Sequence, residues 1–224
     1  MKNLNKNILV VAPHADDEVL GCGGSILTWK KRKSKVFVLV MTDAFKGDPK
    51  NFSLKLMKKI KKESKMASKE LGVDQIFFEN LPAPNLDLVP STEINRILTY
   101  YIKKLKITDL IIPFFGDLHH DHKKISYSSI VSARPYSSVN RILFYETLSE
   151  TEWGHDHSFH PNYFIKLNKT ILKKKLKAFS FYKSQIKKDF HPRSKKGIIN
   201  LASFRGNNIC CEFAEAFKIF RIVE

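Results

Sequence analysis

The chain has 224 residues with 43% hydrophobic and 12% aromatic content, enough apolar material for a core, which excludes a disordered chain. Its formal charge is +17, and its three cysteines include an adjacent pair, Cys210 and Cys211, with no CxxC spacing, which excludes a disulfide framework or a cysteine zinc site. No apolar stretch approaches the roughly 20 residues of a membrane span, and the run 8–12 is too short for a signal-peptide core, so a soluble, cytoplasmic protein is expected.

Residues 8–12, Ile-Leu-Val-Val-Ala, form a continuous apolar run that reads as a strand buried on both faces. A helix is expected over 18–32 and a second buried strand over 36–42. The pattern at 53–71 is helical and stops at Gly72, a natural terminator. A short strand at 75–78, a helix at 90–106, a strand at 110–113, a helix at 120–133 and a strand at 142–145 continue the alternation. This succession predicts an α/β, three-layer, Rossmann-like fold, with a mostly parallel sheet and helices on both faces. Beyond Tyr145 the rhythm changes. A polar, histidine-rich loop is expected over 150–161, then a long basic helix over 170–187, a loop carrying His191-Pro-Arg-Ser194, and a closing strand over 214–222. With no repeat and no low-complexity linker, residues 1–224 read as one domain.

The positive charge is mostly lysine spread along segments that read as helices, where it forms a solvated face. No nucleic-acid motif accompanies it, so no specific nucleic-acid partner is expected. A small-molecule or glycan substrate, anionic ones included, is compatible with this charge.

Two clusters carry the chemistry. His14-Ala-Asp-Asp-Glu18 follows the first strand, and Asp117-Leu-His-His-Asp-His122 follows the fourth. Open α/β sheets bind ligands at the carboxyl ends of their strands, and in the commonest doubly wound order these two strands are neighbours. The clusters would therefore meet. Two histidines and a carboxylate around an open position make a catalytic metal site, and a further carboxylate beside them can act as base. Mixed imidazole and carboxylate donors favour zinc over magnesium or calcium, while iron or another divalent ion fits the same donors. The glycines Gly21, Gly23 and Gly24 lack the spacing of a phosphate loop and are expected to permit close packing of helix on sheet.

The stretch Val11-Ala-Pro-His-Ala-Asp-Asp-Glu18, followed by Val19-Leu-Gly-Cys-Gly-Gly24, resembles the signature of the PIG-L/LmbE-type zinc N-deacetylases. Ala15 stands where that motif has proline. The second motif is matched in part, with His119 and His122 at the usual spacing and His120 in place of a common proline. Thr151-Glu-Trp-Gly154, Pro161-Asn162, His191-Pro-Arg-Ser194, Arg205-Gly206 and Ala214-Glu-Ala-Phe217 are similar to features of the bacterial subgroup associated with surface-glycan sugars. The resemblance implies removal of an N-acetyl or other acyl group from an amino sugar, free or carried on a nucleotide or glycan. It implies that His14, Asp17 and His122 bind zinc and that Asp16 is the general base. His119 would stabilise the oxyanion or donate a proton, and Asp121 would orient a histidine. Glu18 divides evenly between helix-end and site roles. His191, Arg193 and Trp153 become substrate contacts, with Trp153 stacking on a sugar or anchoring its loop in the core. The competing readings are another metal-assisted amide or ester hydrolase, and a non-catalytic basic protein that binds glycan or nucleic acid.

Overall fold

The computed structural model describes residues 6–155 and 157–224; Asp156, in the expected polar loop, lies outside the described residues. In chain order the elements are β1 (Asn7–Ala12), α1 (Asp17–Lys31), β2 (Lys35–Asp43), a single turn α2 (Ala44–Gly47), α3 (Leu54–Leu71), β3 (Gln75–Pro82) and α4 (Ser91–Lys104). They continue with β4 (Asp109–Pro113), α5 (His120–Ser132), β5 (Arg141–Tyr145), β6 (Tyr163–Leu167), α6 (Lys169–Phe179), α7 (Lys195–Asn207) and β7 (Phe213–Ile222).

All seven strands form one sheet in the order β3-β2-β1-β4-β5-β7-β6. The first five are parallel, and β7 runs antiparallel to both β5 and β6. The order reverses between β1 and β4, which pair directly through Ile8–Asp109, Leu9–Leu110 and Val10–Ile111. Chain direction therefore carries the segments after β1 and β4 to the same edge of the sheet, the expected switch point.

The two faces of β1 follow the period-2 alternation of a strand. Ile8, Val10 and Ala12 pack with Val19 and Ile26 of α1, Leu71 of α3 and Ile171 of α6. Leu9 and Val11 pack with Ile94 and Leu98 of α4 and Ile125 of α5. Local signals fix the helix ends. Ser53 accepts a hydrogen bond from Leu56 N at the start of α3, and Gly72, at φ 74°, closes it in the left-handed region. Asn168 caps α6 and Ser194 caps α7.

The glycines of α1 do permit close approach: a Cβ on Gly21 would stand 2.3 Å from the Tyr145 ring, and one on Gly24 2.6 Å from Leu167. The same helix is tied to the far end of the chain by a buried ion pair. Lys175 Nζ lies 2.6 Å from Glu215 Oε1 and donates to Leu20 O, while the Glu215 carboxylate accepts from Gly24 N and Ser25 N.

One expectation needs correction, and two elements were not anticipated. The helix expected over 170–187 stops at Phe179, because Tyr182 turns inward, fully buried, to place its hydroxyl between Glu18 and Ser64. Helix α7, directly after Ser194, was not anticipated; its glycines, asparagines and serine dilute the helical signal, and packing against β7 supplies the stability. Strand β6 was not anticipated. It is five residues long and gains its ladder only by pairing with β7.

Candidate active site

β1 ends at Ala12, and Pro13 leads the chain into His14, Ala15 and Asp16 at the rim of the sheet. Asp16 adopts φ 126°, a left-handed value that costs a non-glycine residue about 1–3 kcal/mol and is kept only where neighbours enforce it. Glu18 enforces it. Its Oε2 accepts from Asp16 N at 3.1 Å, and its Oε1 accepts from the Tyr182 hydroxyl. Burial pushes the Glu18 carboxyl up to about 7. Glu18, divided evenly between helix-end and site roles from its sequence, is fully buried and hydrogen-bonded to the loop that presents Asp16.

Beyond β4 the chain turns at Asp117, His119 caps α5, and the first turn of α5 presents Asp121 and His122. The two clusters meet. His14 Nδ1, Asp17 Oδ2 and His122 Nε2 form a triangle with edges of 3.5, 3.3 and 3.3 Å. Three corners of a tetrahedron around an ion with bonds of about 2.0–2.1 Å would be about 3.3–3.4 Å apart, so the residues present fit a metal ion. The outer ring nitrogens are already committed. His14 Nε2 donates to Asp121 Oδ2 at 3.0 Å, and His122 Nδ1 donates to Asp117 Oδ2 at 2.8 Å. Each carboxylate fixes the tautomer that leaves the inner nitrogen lone pair facing the triangle. Asp121 is itself held by Leu86 N, and Asp117 by the Thr151 hydroxyl.

A second possible ligand group, His14, His119 and Asp121, shares one corner. It is the poorer set, because Asp121 is the orienting partner of His14 and His119 Nδ1 already accepts from Asp121 N at 3.1 Å.

The electrostatics point the same way. Burial alone would raise Asp17, but His122 and His14 hold it well below the usual carboxylate range. Burial alone would lower His14 and His122, yet the carboxylates around them raise both, His14 to about 9. The site therefore attracts positive charge at the place where a cation would sit. Asp16 behaves oppositely: burial and then the Asp17 charge raise it, with Arg193 opposing. Its Oδ2 is buried without a hydrogen-bond partner, 3.7 Å from Arg193 Nη1. Burial, then the charges on His14 and His122, lower His119 to about 4. With Nδ1 occupied as acceptor, neutral His119 presents Nε2–H as a donor.

Asp16, Asp17, His14, His119 and Arg193 line one cavity of about 330 Å³, whose apolar wall includes Leu20, Met57 and Ile60. His191 and Trp153 lie outside that lining. His191 Nδ1 accepts from Arg193 N and shapes the turn that aims Arg193. Trp153 is 66% exposed, so it does not anchor its loop in the core. Asp117, Thr151 and Tyr182 were given no role from the sequence. Asp117 lies inside the second cluster and five residues before His122, a signal that was present; Tyr182, 164 residues from Glu18, offered none.

A profile described as "GlcNAc-PI de-N-acetylase", that of the PIG-L family, matches residues 9–133, which include both clusters. The chain is similar to diacetylchitobiose deacetylase of Thermococcus kodakarensis, 25% identical over 225 residues, covering 95% of this chain and 82% of that protein. The solved N,N'-diacetylchitobiose deacetylase of Pyrococcus horikoshii superposes with a TM-score of 0.78 at 24% identity, over 96% of this chain and 84% of the other. The 4-carboxy-2-hydroxymuconate hydratase GalB of Pseudomonas putida also shares the fold, with a TM-score of 0.75 at 16% identity and 98% coverage of each chain. The fold thus hosts more than one reaction, and function has to be argued from the site. With more than half its length matched by the profile, the chain belongs to the PIG-L family of de-N-acetylases.

Proposed function

We propose that this protein is a zinc-dependent hydrolase that removes the N-acetyl group of an amino sugar, and that it works in the cytoplasm. The observation that carries the reading is the pairing of a metal-sized His14–Asp17–His122 triangle with a buried Asp16 carboxylate oxygen, in the same cavity, that accepts no hydrogen bond. A site that only bound glycan would have no use for that oxygen. The tetrahedral spacing and the mixed nitrogen and oxygen donors favour zinc. The family and the activity named for the Thermococcus relative favour an N-acetylated sugar. The three cysteines are unpaired, in keeping with a reducing compartment. Strands from both ends of the chain share one sheet, which supports reading residues 1–224 as one domain.

His14, Asp17 and His122 would hold a divalent ion, whose Lewis acidity would make a water easier to deprotonate and the acyl carbonyl more electrophilic. Asp16 Oδ2 takes the proton of the attacking water; burial and the Asp17 charge make this carboxylate a stronger base than an exposed one. His119 Nε2–H donates to the carbonyl oxygen as negative charge builds there. Asp16 then returns its proton to the departing nitrogen as the C–N bond breaks, giving a free amine and acetic acid, which ionises to acetate in solution. Arg193 stays beside Asp16 and steadies the ionised form.

The test is release of free amine from a panel of N-acetylated sugars before and after chelation. Activity that disappears with chelator and returns with zinc supports the reading. Zinc-loaded protein that leaves every N-acetylated sugar intact contradicts it.

A further inference from the structure

Glu150 lines the metal cavity, and none of the chemistry above uses it. It stands in the turn that follows β5, where its main chain is fully engaged. Glu150 N donates to Thr147 O at 3.1 Å, and Glu150 O accepts at 3.1 Å from Leu118 N, between Asp117 and His119. The next residue, Thr151, holds Asp117 through its hydroxyl. The preceding residue, Ser149, takes φ 70°, a left-handed value that a non-glycine residue keeps only where neighbours enforce it. Here Ser149 N donates to Glu152 Oε1 at 2.6 Å, and Thr147 N donates to Thr151 Oγ1 at 2.8 Å. The turn is thus fixed against the second cluster by bonds in which the Glu150 carboxylate takes no part.

Four carboxylates line the cavity, and three already have partners or a role. Asp17 is a corner of the triangle, and Asp16 faces Arg193. Asp48 accepts from Asn51 N and Asn51 Nδ2. The half-buried Glu150 carboxylate meets no hydrogen-bond donor among the described residues, and it belongs to neither group that could hold a metal ion. Burial raises it, and the foremost opposing influence is the charge of His122, which places it within reach of the metal site. Beside it, Ser149 Oγ is buried without a hydrogen-bond partner, a state that native structures seldom leave unanswered.

The chemistry of the missing partner follows from these two groups. An ionised carboxylate only accepts, while a serine hydroxyl both donates and accepts. A hydroxyl group on the ligand satisfies both. An ammonium group is opposed by Arg193 and by a divalent ion at the triangle, and a phosphate or carboxylate is opposed by Glu150 itself.

We propose that Glu150 is a specificity-determining residue: its carboxylate accepts a hydrogen bond from one hydroxyl of the sugar whose N-acetyl group lies at the metal, and so selects sugars that carry that hydroxyl unsubstituted. The proposal rests on the deacetylase reading and adds a residue that discriminates among its substrates.

The test measures kcat/KM of the zinc-loaded enzyme for wild type, Glu150→Ala and Glu150→Gln. The substrates are the best of N-acetylglucosamine, N-acetylgalactosamine and N-acetylmannosamine, together with analogues of it that lack one hydroxyl each. The Glu150 side chain holds nothing in the fold, so both variants should keep the zinc content and thermal midpoint of wild type. Loss of zinc in either would make Glu150 part of the metal site and overturn the proposal. The expected result is one analogue that wild type turns over about 10–100-fold less well than the parent sugar. In Glu150→Ala that penalty should all but vanish while those of the other analogues stand. Glu150→Gln, whose amide oxygen still accepts, should retain an intermediate penalty. Wild type that treats every analogue like the parent overturns the proposal, as does a set of penalties that is unchanged in Glu150→Ala. If wild type releases amine from no sugar, the deacetylase reading fails. Saturation-transfer NMR of N-acetylglucosamine and its deoxy analogues on the zinc-loaded protein then decides the role of Glu150 separately. Binding weakened by loss of one hydroxyl in wild type, but not in Glu150→Ala, supports it. No binding, or the same pattern in both proteins, overturns it.

Discussion

Asp117 and Asp121 do equivalent work at the level of single residues, each holding the outer nitrogen of one histidine of the triangle. Removing either frees a ring to rotate and to adopt the wrong tautomer. Asp117→Ala and Asp121→Ala are each expected to weaken zinc binding by about 10–100-fold, measured by competition with a chromophoric chelator. Unchanged affinity in both would mean that the triangle is not the metal site. Glu18 gives a pH prediction. Its carboxyl, ordinarily near 4.5, is pushed up to about 7 by burial, so between those values the folded protein holds more protons than the unfolded chain. The stability Glu18 contributes is therefore full below about pH 4.5 and is lost as pH rises toward 7. In Glu18→Gln the amide can donate to Tyr182 while its oxygen accepts from Asp16 N. Urea melts of the metal-free variant should show a flatter pH dependence across that window than wild type; an identical slope would count against the assignment.

Helices and strands supply the next level. Helix α1 opens on the candidate metal ligand Asp17 and is anchored at Gly24 and Ser25 by the Lys175–Glu215 pair, which joins α1, α6 and β7. Leaving one buried charge without its partner is expensive. Lys175→Met is expected to cost about 3–5 kcal/mol, and replacing both partners by apolar residues much less, read from denaturant midpoints. Equal losses in the single and double variants would show that the pair is not the source of the stability. At this level the sequence was uneven. Strands β1, β2 and β4 were legible because they are buried on both faces and read as apolar runs, and α3 because a serine cap and Gly72 bracket a strong period. Strand β6 was not, since five residues at a sheet edge carry little pattern of their own and owe their ladder to β7. Nor was the end of α6: the lysine-rich pattern continues, but the chain stops the helix to bring Tyr182 to Glu18, a contact across 164 residues that no local window contains.

Across the whole molecule, the candidate site is a consequence of strand order. The clusters after β1 and β4 are about a hundred residues apart in sequence, and only the reversal between these strands makes them neighbours. That part was readable in advance because the doubly wound order is predictable from alternating strands and helices. The substrate side was less so. Arg193 reaches Asp16 from a loop between α6 and α7, and the exposed position of Trp153 follows from packing that composition does not encode. Because the triangle draws residues from both halves of the switch point, metal should stabilise the fold as a whole. Zinc at about 100 times its dissociation constant is expected to add about 2.7 kcal/mol to the unfolding free energy. A thermal midpoint that does not move with zinc would mean that the native chain does not bind it. The central claim joins this metal to one base, and the most direct measurement is zinc content together with amine release for wild type and Asp16→Asn. The account predicts about one zinc per chain in both, with turnover of the N-acetylated sugar lowered by about 10²–10⁴-fold in the variant. A zinc-loaded variant that turns over within a few-fold of wild type would contradict it.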